Sequence, residues 1–170
     1  MGDEQLLGTT PKVTRILMSE EAVYGLILVS GMIVVSYNLT ATSLNALITV
    51  VVTVLVFFAA HVYAGTLARL AATEGKAGLP ASLSAAVHHS IGMLLISLAP
   101  ITVLVLGVTQ VMPDDLAVWL ALIIDTLALA VLGWIAVAKW TGHFWLRLAS
   151  ALTTAAFGLI LVALKAFINH

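Results

Sequence analysis

Apolar residues form long runs along this chain, and polar residues gather in short clusters between them. A helix rises about 1.5 Å per residue, so crossing a hydrocarbon layer of about 30 Å takes about 20 mainly apolar residues. Five runs approach or exceed that length, over residues 22–37, 44–70, 81–110, 115–140 and 143–167. The first ends in the polar connection Asn38-Leu39-Thr40-Ala41-Thr42-Ser43, and the second in Glu74-Gly75-Lys76-Ala77-Gly78-Leu79-Pro80. No period-two alternation separated by turns runs through the chain, which excludes a barrel. The predicted fold is therefore all-α: a polytopic membrane helix bundle with five transmembrane helices over residues 21–170, preceded by a tail of residues 1–20.

Capping chemistry agrees with these limits. Ser19 precedes Glu20 and Glu21, placing carboxylates where unpaired amides and the helix dipole favour negative charge. Pro80 and Pro113 stand ahead of the third and fourth spans, where a missing amide donor is harmless. Gly142 is the expected terminator between the fourth and fifth. The tail carries a small apolar patch, Val13, Ile16 and Leu17, that suits a short interfacial helix. Acids flank that patch and no small-residue cleavage pattern follows it, which argues against a cleavable signal peptide.

Composition narrows the class. The 170 residues are 62% hydrophobic and only 9% charged, with a mean hydropathy of +1.15, against about 25% charge in a soluble domain. A formal net charge of −1 provides no field to draw in a nucleic acid. There is no cysteine, so disulfides, thiolate metal sites and cysteine nucleophiles are excluded. The basic residues sort by side: Lys12, Arg15, Arg69, Lys76, Lys139 and Arg147 fall at one set of span ends, while Lys165 alone, with Asp114 and Asp115, falls at the other. The positive-inside rule then predicts a multi-pass protein of the cell membrane with a cytoplasmic amino terminus and an external carboxyl terminus. Trp119, Trp140 and Trp145 lie near span ends, as interfacial aromatics do, and Trp134 lies deeper.

Ionisable groups inside a span are costly and normally face protein or water. At about 100° per residue, Glu21, Tyr24, Gly25, Leu28, Met32 and Ser36 share one face of the first span. His61 lies with Ala64, Gly65 and Ala68; Ser82, Ala86, His89, Met93, Ser97 and Pro100 form a stripe, from which His88 diverges by about 100°. Arg147, Ser150, Thr154 and Gly158 line up on the fifth span, and Ser150, Thr154 and Gly158 make a small-residue packing seam, within one chain or between chains. Counted from the nearer span end, His61 is about 13 Å deep and His89 about 12 Å, while Glu21, Tyr24 and Arg147 lie within roughly 6 Å of the boundary. Asp125 is about 15 Å from the outer face, near the middle of the fourth span.

Two readings follow. In one, Glu21, Tyr24, His61 and His89 form an inner relay and Asp125 an intramembrane site for a proton or small cation, with Pro100 freeing the Ile96 carbonyl or marking a kink. Five helices enclose only a narrow path, so this reading implies a homo-oligomer in the lipid bilayer. In the other, the polar groups are structural and the chain is a non-transporting accessory or scaffold subunit. Glu21 then pairs with Arg147, His61 bonds to Ser90 or Tyr24, and Asp125 bonds to a neighbouring helix. Glu21, His61 and His89 are a sensible ligand set for a divalent transition metal but lack local spacing, and His61 and His89 as axial haem ligands lack loops to shape a pocket, so no metal or cofactor is expected. No His-Glu-x-x-His, Gly-x-Ser-x-Gly or phosphate-loop motif is present, and no enzyme activity is expected. His143 and His170 receive no role.

Overall fold

A computed structural model describes residues 20–138 and 141–168. The tail with Lys12, Val13, Arg15, Ile16, Leu17 and Ser19, and also Lys139, Trp140 and His170, lie outside the described residues. The helices are α1 (Glu20–Thr40), α2 (Ser43–Ala72), α3 (Leu79–Val108), α4 (Asp114–Ala138) and α5 (Phe144–Ile168). Among the described residues there is no strand, and all five helices are long and apolar enough to cross a membrane.

The first connection is shorter than its polar composition suggests. Asn38, Leu39 and Thr40 remain helical because Thr40 Oγ1 donates to the Ser36 carbonyl at 3.0 Å, a back-bond that lets a hydroxyl residue sit in a helix. Only Ala41 and Thr42 link α1 to α2; Ala41 turns the chain at φ +53°, and Thr42 Oγ1 caps Asn45 N–H. Pro80 occupies the first turn of α3, and Asp114 and Asp115 occupy that of α4, as expected. Gly142 does not take the left-handed conformation expected of a terminator. Arg147 instead closes the end of α4, donating to the Thr141 carbonyl at 2.8 Å and the Ala138 carbonyl at 3.4 Å.

Helix α1 touches each of the other four, with the α2–α3 hairpin and the α4–α5 hairpin packed around it. Its residues Val29, Ile33 and Val34 meet Val50 and Val54 of α2, Leu104 of α3, and Val118 and Leu122 of α4. A second cluster joins Ala22 and Leu26 to Leu129 and Leu132. The shortest predicted span is thus the central one, which suits a helix apolar on all sides.

Small residues fix the closest approaches. Ser150 Oγ donates to the Gly133 carbonyl and Thr154 Oγ1 to the Leu129 carbonyl, both at 2.8 Å, and Gly158 lies against Thr126. The seam therefore closes within the chain, between α4 and α5. At the end shared by Thr40, Ser43, Val108 and Asp114, Gly107 packs on Ser43 and Ala117. From that level α2 and α3, at 30 residues each, run nine residues beyond the 21 of α1, about 13 Å. Pro100 is buried within a continuous α3 and does not end it.

Candidate functional site

Mid-bundle, Asp125 is fully buried and accepts a hydrogen bond from Ser30 Oγ at 2.7 Å. Its other oxygen, Oδ1, is buried without a hydrogen-bond partner among the described residues. The two side chains meet because they are level: Ser30 lies ten residues from the end of α1 at Thr40 and Asp125 eleven from the start of α4 at Asp114, about 15–16 Å of rise. Ser30 was not among the candidate residues, and that equality of depth was the signal for it.

A second polar cluster forms one level away. Glu21, 4% exposed, holds His89 Nε2 at 2.7 Å through Oε1, while Oε2 is buried without a partner. His61 and Ser90 border the same cleft, of about 340 Å³, and Gly65 and Ala86 leave it open by their small size. Counted from the shared end, Glu21, His61 and His89 stand 19, 18 and 19 residues along their helices, about 27–29 Å. Different helix lengths hide this coincidence when each is measured from its nearer end.

Two expected pairings are replaced. Glu21 pairs with His89 and not Arg147, whose guanidinium is engaged with the carbonyls at the end of α4. His61 Nδ1 lies 2.9 Å from the Phe57 carbonyl of its own helix, so its bond is not to Ser90 or Tyr24. Tyr24 is 64% exposed and lines an adjoining groove with Ile27, Leu28, Phe57 and His61. Three residues turn a helix about 300°, so Tyr24 sits about 60° from Glu21, far enough to leave the enclosed face. His88 is exposed, away from the cleft.

Between the two acids, α1 and α3 meet through apolar side chains. Leu26 and Met93 are fully buried, and Met93 rests against Gly25, where a Cβ would come within 2.8 Å of its Cγ. Among the described residues no group of three His, Asp or Glu side chains is arranged to hold a metal ion.

At the far end, Lys165 is fully buried; its Nζ is 2.8 Å from Asp115 Oδ1, 4.2 Å from the Trp119 ring centre and 4.9 Å from that of Tyr37. The sequence assigns Lys165 a part in orientation only, and its enclosure is a finding of the tertiary structure. The available signal was one base placed among apolar residues on the side that carries Asp114 and Asp115.

Comparison with protein-family models, curated proteins and solved structures finds no match. What defines the class is the architecture itself: five apolar helices of membrane-crossing length, as in an integral membrane protein.

Proposed function

We propose that this chain passes protons in the membrane, with Asp125 as the mid-bundle proton site and the Glu21–His89 pair, beside His61, as its loading group on one side. The observation that carries this reading is the enclosed Asp125 carboxyl, with one oxygen on Ser30 and the other unpartnered. A proton fits that setting better than a small cation, because hard cations take about six oxygen ligands and Asp125 has a single hydroxyl beside it. Glu21 Oε1 and His89 Nε2 stand 2.7 Å apart, within reach for a proton to pass between them, and an imidazole ring offers both a donor and an acceptor nitrogen. The apolar stretch at Leu26 and Met93 separates the two sites, so transfer requires that layer to move or a second copy to complete the path. We therefore keep the homo-oligomer within the proposal, and assign no enzymatic chemistry.

Flux in liposomes tests it. An imposed pH gradient decays several-fold faster with wild type than in empty vesicles, and Asp125→Asn returns decay to the empty-vesicle rate. Wild-type decay equal to that of empty vesicles rejects proton passage. It favours the accessory-subunit reading, which the full enclosure of the Asp125–Ser30 bond supports.

Orientation belongs to the same proposal. Arg69, Lys76 and Arg147 stand at the Glu21 end and Lys165 at the opposite one, which supports a cytoplasmic Glu21 end. The cysteine-free sequence makes the check direct. In intact cells, a membrane-impermeant maleimide labels Val111→Cys and spares Ala77→Cys; the reverse pattern inverts the topology.

A further inference from the structure

The cleft at Glu21 has a second space beside it. His61 borders both the polar cleft and the apolar groove of about 280 Å³ that runs past Tyr24, Ile27, Leu28 and Phe57. One space offers hydrogen-bonding groups and the other aromatic and aliphatic walls, with a single imidazole lining both. A ligand spanning them has a small polar head and an apolar body.

The chemistry of the head follows from counting donors and acceptors. A carbonyl only accepts, so the bond to Phe57 puts the hydrogen of a neutral His61 on Nδ1 and leaves Nε2 as a lone pair. Glu21 Oε2 is an acceptor without a donor, and Ser90 adds a hydroxyl at the cleft wall. The one donor on Glu21 is His89 Nε2, carried by a side chain that is 65% exposed and held there by that bond. Glu21 Oε2 and His61 Nε2 therefore call for N–H groups, and the carboxylate for positive charge. Arg69 is the other charged group near the cleft, and it borders the outer space with Ala85 and His89. It lies eight residues beyond His61 on α2, about 12 Å away along the axis.

We infer that this site binds an amphiphilic organic ammonium, a primary amine whose N–H groups displace His89 from Glu21 and whose apolar body lies along Tyr24 and Phe57. An aromatic body and a cationic head both suit those rings. The charged and titratable groups around the head are Glu21 from α1, His61 and, further out, Arg69 from α2, and His89 from α3, while Tyr24 borders only the apolar groove.

Equilibrium dialysis of phenethylammonium against the protein in phosphatidylcholine nanodiscs, corrected with empty discs, tests this without any flux measurement. Saturable binding is expected at pH 7.5, and it is at least tenfold weaker in Glu21→Gln. The N,N,N-trimethyl analogue keeps the charge and the body but has no N–H, and it binds at least tenfold more weakly. His89→Ala removes the competing donor and tightens binding several-fold, a gain that misfolding cannot imitate. Glu74→Gln, at an exposed turn, leaves the affinity unchanged. Absence of saturable binding, equal affinity in Glu21→Gln, or weaker binding in His89→Ala overturns the assignment. Since no proton gradient enters the assay, its outcome is read separately from that of the liposome flux.

Discussion

Gly133→Ala separates α5 from α4. A Cβ at position 133 would run into Thr154 Oγ1 and would lie 2.7 Å from the Ser150 carbonyl oxygen and 3.1 Å from its carbon. A side chain can swing aside, but the Ser150 backbone cannot, so the whole of α5 has to withdraw. Withdrawal stretches the Ser150 bond to the Gly133 carbonyl and the Thr154 bond to the Leu129 carbonyl. Overpacking costs about 1–3 kcal/mol, and each membrane hydrogen bond contributes about 0.6 kcal/mol more. At about 2–4 °C per kcal/mol, the melting temperature in detergent drops by roughly 6–12 °C for a loss of about 3 kcal/mol. Gly31→Ala is the matched control, since nothing lies within 4 Å of its added methyl and Ala is the better helix former by about 1 kcal/mol. Equal melting of the two variants would show that the α4–α5 contact is not close-packed.

The second large effect concerns Lys165. Its ammonium is fully buried and has one carboxylate partner, Asp115, together with the faces of Trp119 and Tyr37. Asp115→Asn keeps the shape and removes the counter-charge, leaving a cation in an enclosed apolar site. Breaking a buried pair from one side costs about 3–5 kcal/mol; the carboxylate is half-exposed here, so the lower end applies. Lys165→Met takes the charge away altogether and fills much of the same volume, a change that is commonly neutral or stabilising. The expected order of melting temperatures is Lys165→Met at or above wild type and Asp115→Asn well below. The double variant returns to the Lys165→Met value. A Lys165→Met protein as unstable as Asp115→Asn contradicts the account, because it would assign the cost to packing rather than to charge.

Much of the fold was legible from position along the chain. The five spans lie within a few residues of the observed helices, since run length and proline placement report on a single helix at a time. The Ser150, Thr154 and Gly158 stripe was legible for the same reason, as an angular pattern on one helix. Its partner, Gly133 of α4, was not, because a periodicity carries no information about the facing surface. The pairing of Glu21 was misjudged on similar grounds. Arg147 and Glu21 both lie near span ends and carry opposite charges, yet Arg147 is spent on the carbonyls of Thr141 and Ala138, and His89 reaches Glu21 first. Depth counted helix by helix placed Glu21 well above His61 and His89. Only the common level at Thr40, Ser43, Val108 and Asp114 brings all three together.

Taken alone, the order of residues determined that the chain is a bundle of membrane-length helices, where each lies to within a few residues, and which polar groups sit within them. Those are properties of hydropathy and of hydrogen bonds closed inside one helix, so they need no neighbour. Tertiary structure decided that α1 is the central helix, that Ser30 meets Asp125, that His89 meets Glu21 and that Lys165 is enclosed. These depend on axial register between helices, which is set by where small residues such as Gly107 and Gly133 let two backbones touch. In lipid, apolar surface has little preference for one helix over another, so close packing and a few polar bonds select the register.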